Sequence, residues 1–143
     1  MANILDVAEY ILERKGPMSA MKLQKLCYYA KAWYLVWAEK EIFPERIEAW
    51  ANGPVIPELF KAHQGMFLVS PGKLCRKPTA LTADQEDALD KVLSFYGDQD
   101  PQWLSDLTHM EDPWRNARNG LADGAWSDRE ITNEAMAEYY ESL

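Results

Sequence analysis

The stretch Ser19–Lys40, "SAMKLQKLCYYAKAWYLVWAEK", decides how the rest of the chain is read. Ser19 can accept a backbone N–H and cap a helix that runs to about Lys40. Leu23, Leu26, Cys27, Ala30, Tyr34 and Trp37 recur at helical spacing and share one face. Tyr28, Tyr29, Trp33, Leu35 and Val36 fill most of the remaining surface. A helix apolar on most sides is the central helix of its domain. Lys22, Lys25 and Lys31 are then expected along its wetter edge, with their stems on apolar surface.

C-terminal to this helix, "EIFPERIEAWANGPVIPELF" (Glu41–Phe60) changes character. Short strands or an extended segment are expected over residues 41–53. Gly53 can adopt backbone angles barred to other residues, and Pro54 fixes the next one. Ile56 precedes Pro57, so it is pushed out of helical geometry. Pro57 suits the first position of a short helix ending near His63. The segment therefore reads as a rigid corner, with Trp50 as a large apolar body whose N–H needs a partner if buried.

N-terminal to it, Asn3 can cap a helix carrying Ile4, Val7, Ala8, Ile11 and Leu12, ended by Lys15-Gly16-Pro17. Residues 64–81 read as a long connection in which Met66–Val69 form a strand or pack beneath the loop. Thr82 and Gln85 form a capping box for a helix with Leu89, Val92, Leu93 and Tyr96 inward, closed by Gly97. Asp100-Pro101 starts a helix with Leu104 and Leu107 inward. Asp112 caps a shorter one that begins with Pro113, carries Trp114 and Ala117, and stops at Asn119-Gly120. Thr132 caps the last, with Ala135, Met136 and Tyr139. The expected fold is mainly α, α+β at the margin: one compact helical bundle over residues 1–143 around helix 20–40.

The 143 residues are 48% hydrophobic, with six Trp, seven Tyr and four Phe, which excludes a disordered acidic chain. Asp6, Glu9 and Glu13 interrupt the first apolar pattern, so no signal peptide is expected. The uncharged apolar run Ala32–Ala38 is too short to span a bilayer. Cys27 and Cys75 read as reduced thiols, and the protein as cytoplasmic. The net charge of −8 is unevenly placed. Residues 1–81 hold 11 Lys+Arg against 8 Asp+Glu, and residues 82–143 hold 4 against 15. The acidic half repels phosphate backbones, so nucleic acid is disfavoured as a partner. It either attracts a basic protein or serves only as a solvated surface.

No Walker loop, Rossmann glycine pattern or zincin motif occurs. His63 ends a short helix, where partial positive charge suits the carbonyl end. His109 lies near Glu111 and Asp112, but Glu111 points elsewhere on a helix and Asp112 is spent as a cap. Both histidines are read as structural, and no catalytic, metal or cofactor site is expected. Trp103 and Trp126 fit the apolar stripes poorly and are candidate exposed anchors for a partner. The acidic Asp84, Glu86, Asp87 and Asp90 are candidates for the same surface.

Three segments in order, Met21–Leu35, Ile47–Phe60 and Leu104–Arg118, resemble the signature of the Panacea-domain family, which comprises SocA-like antitoxins and phage-associated GepA-like proteins. The resemblance runs from about residue 5 to 140. It implies a mostly helical domain with a little β structure, no enzymatic activity and no cofactor. It implies an antitoxin of a prophage or mobile-element system that neutralises a toxin by direct contact. A proteolytic adaptor delivering its bound protein to a AAA+ protease is the alternative within the family. A DNA-binding regulator using Lys73, Arg76 and Lys77 is a further alternative. The family motif falls on Leu23, Lys25, Leu26, Tyr28, Tyr29, Trp50, Gly53, Pro54, Val55, Pro57, His109 and Trp114. These positions read as scaffold, leaving the choice of partner to other surface residues.

Overall fold

The computed structural model describes residues 2–74, 81–122 and 124–143. Cys75, Arg76 and Lys77 lie outside the described residues. Among those described, seven helices and five short strands form a mainly α fold with two small antiparallel sheets.

Helix α1 spans Ile4–Lys15. Asn3 accepts the Asp6 N–H, and the Asp6 carboxylate accepts that of Asn3, so two orphan donors are satisfied together. Ile4, Val7, Ala8, Ile11 and Leu12 are buried at the predicted spacing. Strand β1 (Met18–Ser19) leads directly into α2 (Ala20–Ala38), capped by Ser19, which accepts the Lys22 N–H. Glu39, at φ 55°, ends α2 two residues before the expected limit. Every residue from Leu23 to Ala32 is buried, as a helix apolar on most sides requires.

Two expectations about α2 are corrected. Trp37 does not face the core: it is 42% exposed, stacked on Trp33 with Lys91 Nζ over its ring, while Leu35, Val36 and Ala38 of the same turn pack inward. Lys25 and Lys31 do not mark a wet edge, since each is 2% exposed. Lys31 Nζ donates to the Glu45 carbonyl at 2.7 Å and pairs with Glu41 at 3.1 Å. Lys25 lies beneath the hairpin described next.

Strands β2 (Ile47–Trp50) and β3 (Gly53–Val55) pair antiparallel, with Trp50 opposite Gly53 and Ala51-Asn52 as the turn. Helix α3 (Pro57–His63) follows at once, with Pro57 in its first turn. Strand β4 (Leu68–Val69) pairs with β1, while Phe67 stands 85% exposed. Helix α4 (Ala83–Tyr96) carries the Thr82–Gln85 capping box, and α5 (Pro101–Met110) is capped by Asp100. Helix α6 spans Asp112–Arg118, but Asp112 is not its cap. Glu111 holds the cap position without a side-chain bond to the helix, because its carboxylate turns into the core. Strand β5 (Glu130–Ile131) adds a third strand beside β2, with Ile47 opposite Ile131. Helix α7 (Asn133–Glu141), capped by Thr132, packs on α2 with Met136 and Tyr140 buried. Helices α1, α4, α5 and α7 all pack on α2.

Candidate binding site

The corner between β3 and α3 is locked by Gln24 of α2. Its Oε1 accepts the Ile56 N–H at 2.8 Å, which fixes the amide's orientation. The Nε2 amide then faces the Ile56 carbonyl at 3.3 Å and His63 Nε2 at 3.0 Å. Because the amide is the donor, His63 Nε2 accepts, and the ring is neutral. Burial also holds the His63 pKa below its usual value. The charged helix-end role expected for His63 is therefore replaced by a neutral acceptor role.

Gly53 has φ +122°, where side chains are strained, and a Cβ there would stand 2.6 Å from Lys25 Cε. The missing side chain is thus the space that Lys25 occupies. Trp50 meets the Phe60 ring edge-on at 5.1 Å, and its N–H donates to Glu48 at 2.8 Å.

The chain after α6 is tied to the same hairpin. Trp114 Nε1 donates to the Trp50 carbonyl at 2.8 Å. The buried Arg118 guanidinium donates to the carbonyls of Ala49, Ala122 and Ala125, at 3.1, 3.1 and 2.6 Å. It also lies 4.8 Å over the Trp114 ring, while His109 stacks on that ring at 4.1 Å. One arginine therefore anchors the loop that carries Trp126 against strand β2.

These constraints enclose a cavity of about 330 Å³ lined by Gln24, Lys25, Trp50, Phe60, His63 and Trp126, among others. Met21, 40% exposed, and Trp126, 79% exposed, stand at its mouth. Ala20 and Met21 also border a second cavity of about 600 Å³, whose walls include Met66, Phe67 and Pro101. Lys25 is the one charged residue among the described residues lining the first cavity. Burial lowers its pKa to about 8.

A second polar cluster is closed to solvent. Tyr29 and Tyr140 both donate to Glu111 Oε1 at 2.7 Å, and the Tyr28 and Tyr140 hydroxyls share a bond of 2.9 Å. Burial raises the Glu111 pKa while the two phenols pull it back. The Tyr29 ring stacks on Tyr96 at 4.1 Å, and Trp33 Nε1 donates to the Tyr96 hydroxyl. Glu111 is thus engaged as a core acceptor, which sequence spacing did not suggest.

Of the motif positions, Leu23, Leu26, Tyr28 and Tyr29 are buried along α2, and Gly53 and Pro54 are buried in the hairpin. Val55 and Pro57 are half-buried beside them, and Lys25, Trp50 and Val55 line the cavity. Trp126 joins them there; Trp103, 44% exposed on α5, does not line it. Asp84, Glu86, Asp87 and Asp90 lie on α4, away from the cavity lining, and Asp84 and Asp90 accept the phenols of Tyr34 and Tyr10. Gln24, Phe60 and Met21 were not singled out from the sequence. A glutamine inside the apolar run of α2 was the one signal that could have marked Gln24.

No helix among the described residues is long and apolar enough to cross a membrane. No curated protein and no solved structure gives a significant match. The family described as "Antitoxin SocA-like, Panacea domain" matches residues 23–115, from the buried start of α2 to the middle of α6. That span contains the corner, the Lys25–Gly53 contact and the Trp114 tie, and it is well over half the chain. The chain belongs to the SocA-like antitoxin, Panacea-domain family.

Proposed function

We propose that the protein is an antitoxin that neutralises a toxin by direct protein–protein contact, in the cytoplasm, with the toxin encoded adjacently on a prophage or mobile element. Membership of the SocA-like family carries this reading. The surface supports it. Two cavities flank Ala20-Met21 and are rimmed by exposed Phe67 and Trp126. Large apolar and aromatic side chains beside concave pockets are the usual anchors of protein recognition. The excess of carboxylates after residue 82, including Asp87 and Glu86 on α4, would speed encounter with a basic partner.

The test is co-expression with the adjacent gene product. The expected result is growth arrest by the neighbour alone and rescue by this protein, with an unchanged half-life of the neighbour. A harmless neighbour removes the antitoxin reading. A shortened half-life replaces neutralisation with delivery to a protease. Association should also slow as salt rises, and an on-rate indifferent to ionic strength excludes the acidic face from steering.

A further inference from the structure

Lys25 is 2% exposed, yet among the described residues no hydrogen bond or ion pair reaches its ammonium. A buried cation without a counter-charge is costly, and a methionine of similar length would pack there without that cost. The fold nevertheless makes room for it, since Gly53 leaves open the space that a Cβ would take from Lys25 Cε and Nζ. The cavity walls around it are chiefly apolar: Met21, Trp50, Val55, Phe60 and Trp126. Gln24 and His63 also line it, occupied with Ile56 and with each other, as do Asn52 and Ser127, whose hydroxyl accepts the Arg129 N–H. The cavity thus offers a mostly apolar wall and one positive charge, with no second charge among the described residues that line it.

That combination selects its occupant. A phosphate monoester carries about −1.5 to −2 and would leave excess charge against a single cation on apolar walls. An internal Asp or Glu brings one negative charge, but flanking peptide groups must follow it into apolar surroundings. A chain end carries an apolar side chain and a carboxylate on one Cα. About 330 Å³ is near the lower limit of ligand pockets, which suits one large residue rather than a longer segment.

We propose that this cavity receives the C-terminal residue of the partner protein, its apolar side chain against Trp50, Phe60 and Trp126 and its carboxylate on Lys25 Nζ. The proposal rests on the reading of this protein as one that works by binding another. It gives Lys25 a counter-ion only in the complex, so the unbound protein is held ready for an anion.

The test uses the full chain and a hexapeptide ending in Phe, as the free acid and as the C-terminal amide, with binding followed by tryptophan fluorescence and calorimetry. The acid should bind at least about tenfold more tightly than the amide. Lys25→Met should erase that preference. Trp126→Ala, at a 79% exposed side chain, leaves the core intact and should weaken the acid about tenfold. Phe95→Ala, beside a separate cavity lined by Trp33 and Trp37, should change nothing. Equal binding of acid and amide, absence of binding at millimolar peptide, or a preference that survives Lys25→Met overturns the proposal. So does 3-phenylpropionate binding as tightly as the peptide, which would make the site one for small acids. If co-expression rescues growth but acid and amide bind alike, the chain-end site falls and the antitoxin reading stands. If the preference holds while the neighbouring gene product is harmless, the antitoxin reading falls and the site stands.

Discussion

The indole N–H of Trp114 donates to the carbonyl of Trp50 across 64 residues of sequence, at 2.8 Å. This bond joins the third motif segment to the second. Gln24 joins the second to the first through the Ile56 N–H. The three motif segments are thus tied into one frame, and the first two of them line the Lys25 cavity. Arg118 extends the same frame to the Trp126 loop through the Ala122 and Ala125 carbonyls.

Gly53→Ala should destabilise the protein by about 2 kcal/mol or more, read from urea unfolding. The backbone stands at φ +122°, and the new methyl would meet Lys25 Cε at 2.6 Å. A change within 0.5 kcal/mol would mean that the hairpin relaxes without disturbing α2.

Gln24→Leu keeps the volume and removes both bonds to Ile56 and the bond to His63. The Ile56 N–H is then buried without that acceptor, and such a group costs about 1–3 kcal/mol. Thermal unfolding should show the loss, and amide exchange at Ile56 should accelerate.

Glu111→Gln should flatten part of the pH dependence of stability. Burial places the folded pKa of Glu111 above 4.5, so the folded state holds a proton that the unfolded state releases. Stability from this group is full below 4.5 and is lost as pH rises through the folded pKa. Glutamine still accepts from Tyr29 and Tyr140 but does not titrate. Glu9, also raised, keeps a slope of the same sign, and His63, lowered from 6.5, gives one of the opposite sign. The difference between wild type and variant isolates Glu111. Parallel denaturation curves from pH 4 to 7 would refute its role.

Lys25→Met should stabilise the unbound protein at pH 7. Burial moves the Lys25 pKa from 10.5 to about 8, so the unfolded state binds the proton more tightly in that window. Wild-type stability should therefore rise as pH climbs from 8 toward 10, before the tyrosines begin to oppose it. The shift corresponds to about 3–4 kcal/mol at about 1.4 kcal/mol per unit. The variant should carry that stability already at pH 7 and lose the rise. Equal stability of the two proteins at pH 7 would show that Lys25 is solvated more fully than its burial implies.

Helix starts were legible because their chemistry is local. Asn3, Ser19, Thr82, Asp100 and Thr132 each accept an N–H three residues onward, within a single turn. The Gly53-Pro54 corner was legible for the same reason, since its constraints act on adjacent dihedrals. Strand β5 was not, because two residues have no period and pair only with a strand more than 80 positions away.

By itself the sequence determined a central apolar helix, a stiff corner after it, the helix caps and the family to which the motifs belong. Only the tertiary structure decided which charged groups lie inside. Lys25 and Glu111 look like surface residues in any local window. Their burial depends on Gly53, Tyr29 and Tyr140, each more than 25 residues distant, and on an environment that exists only once the helices have packed.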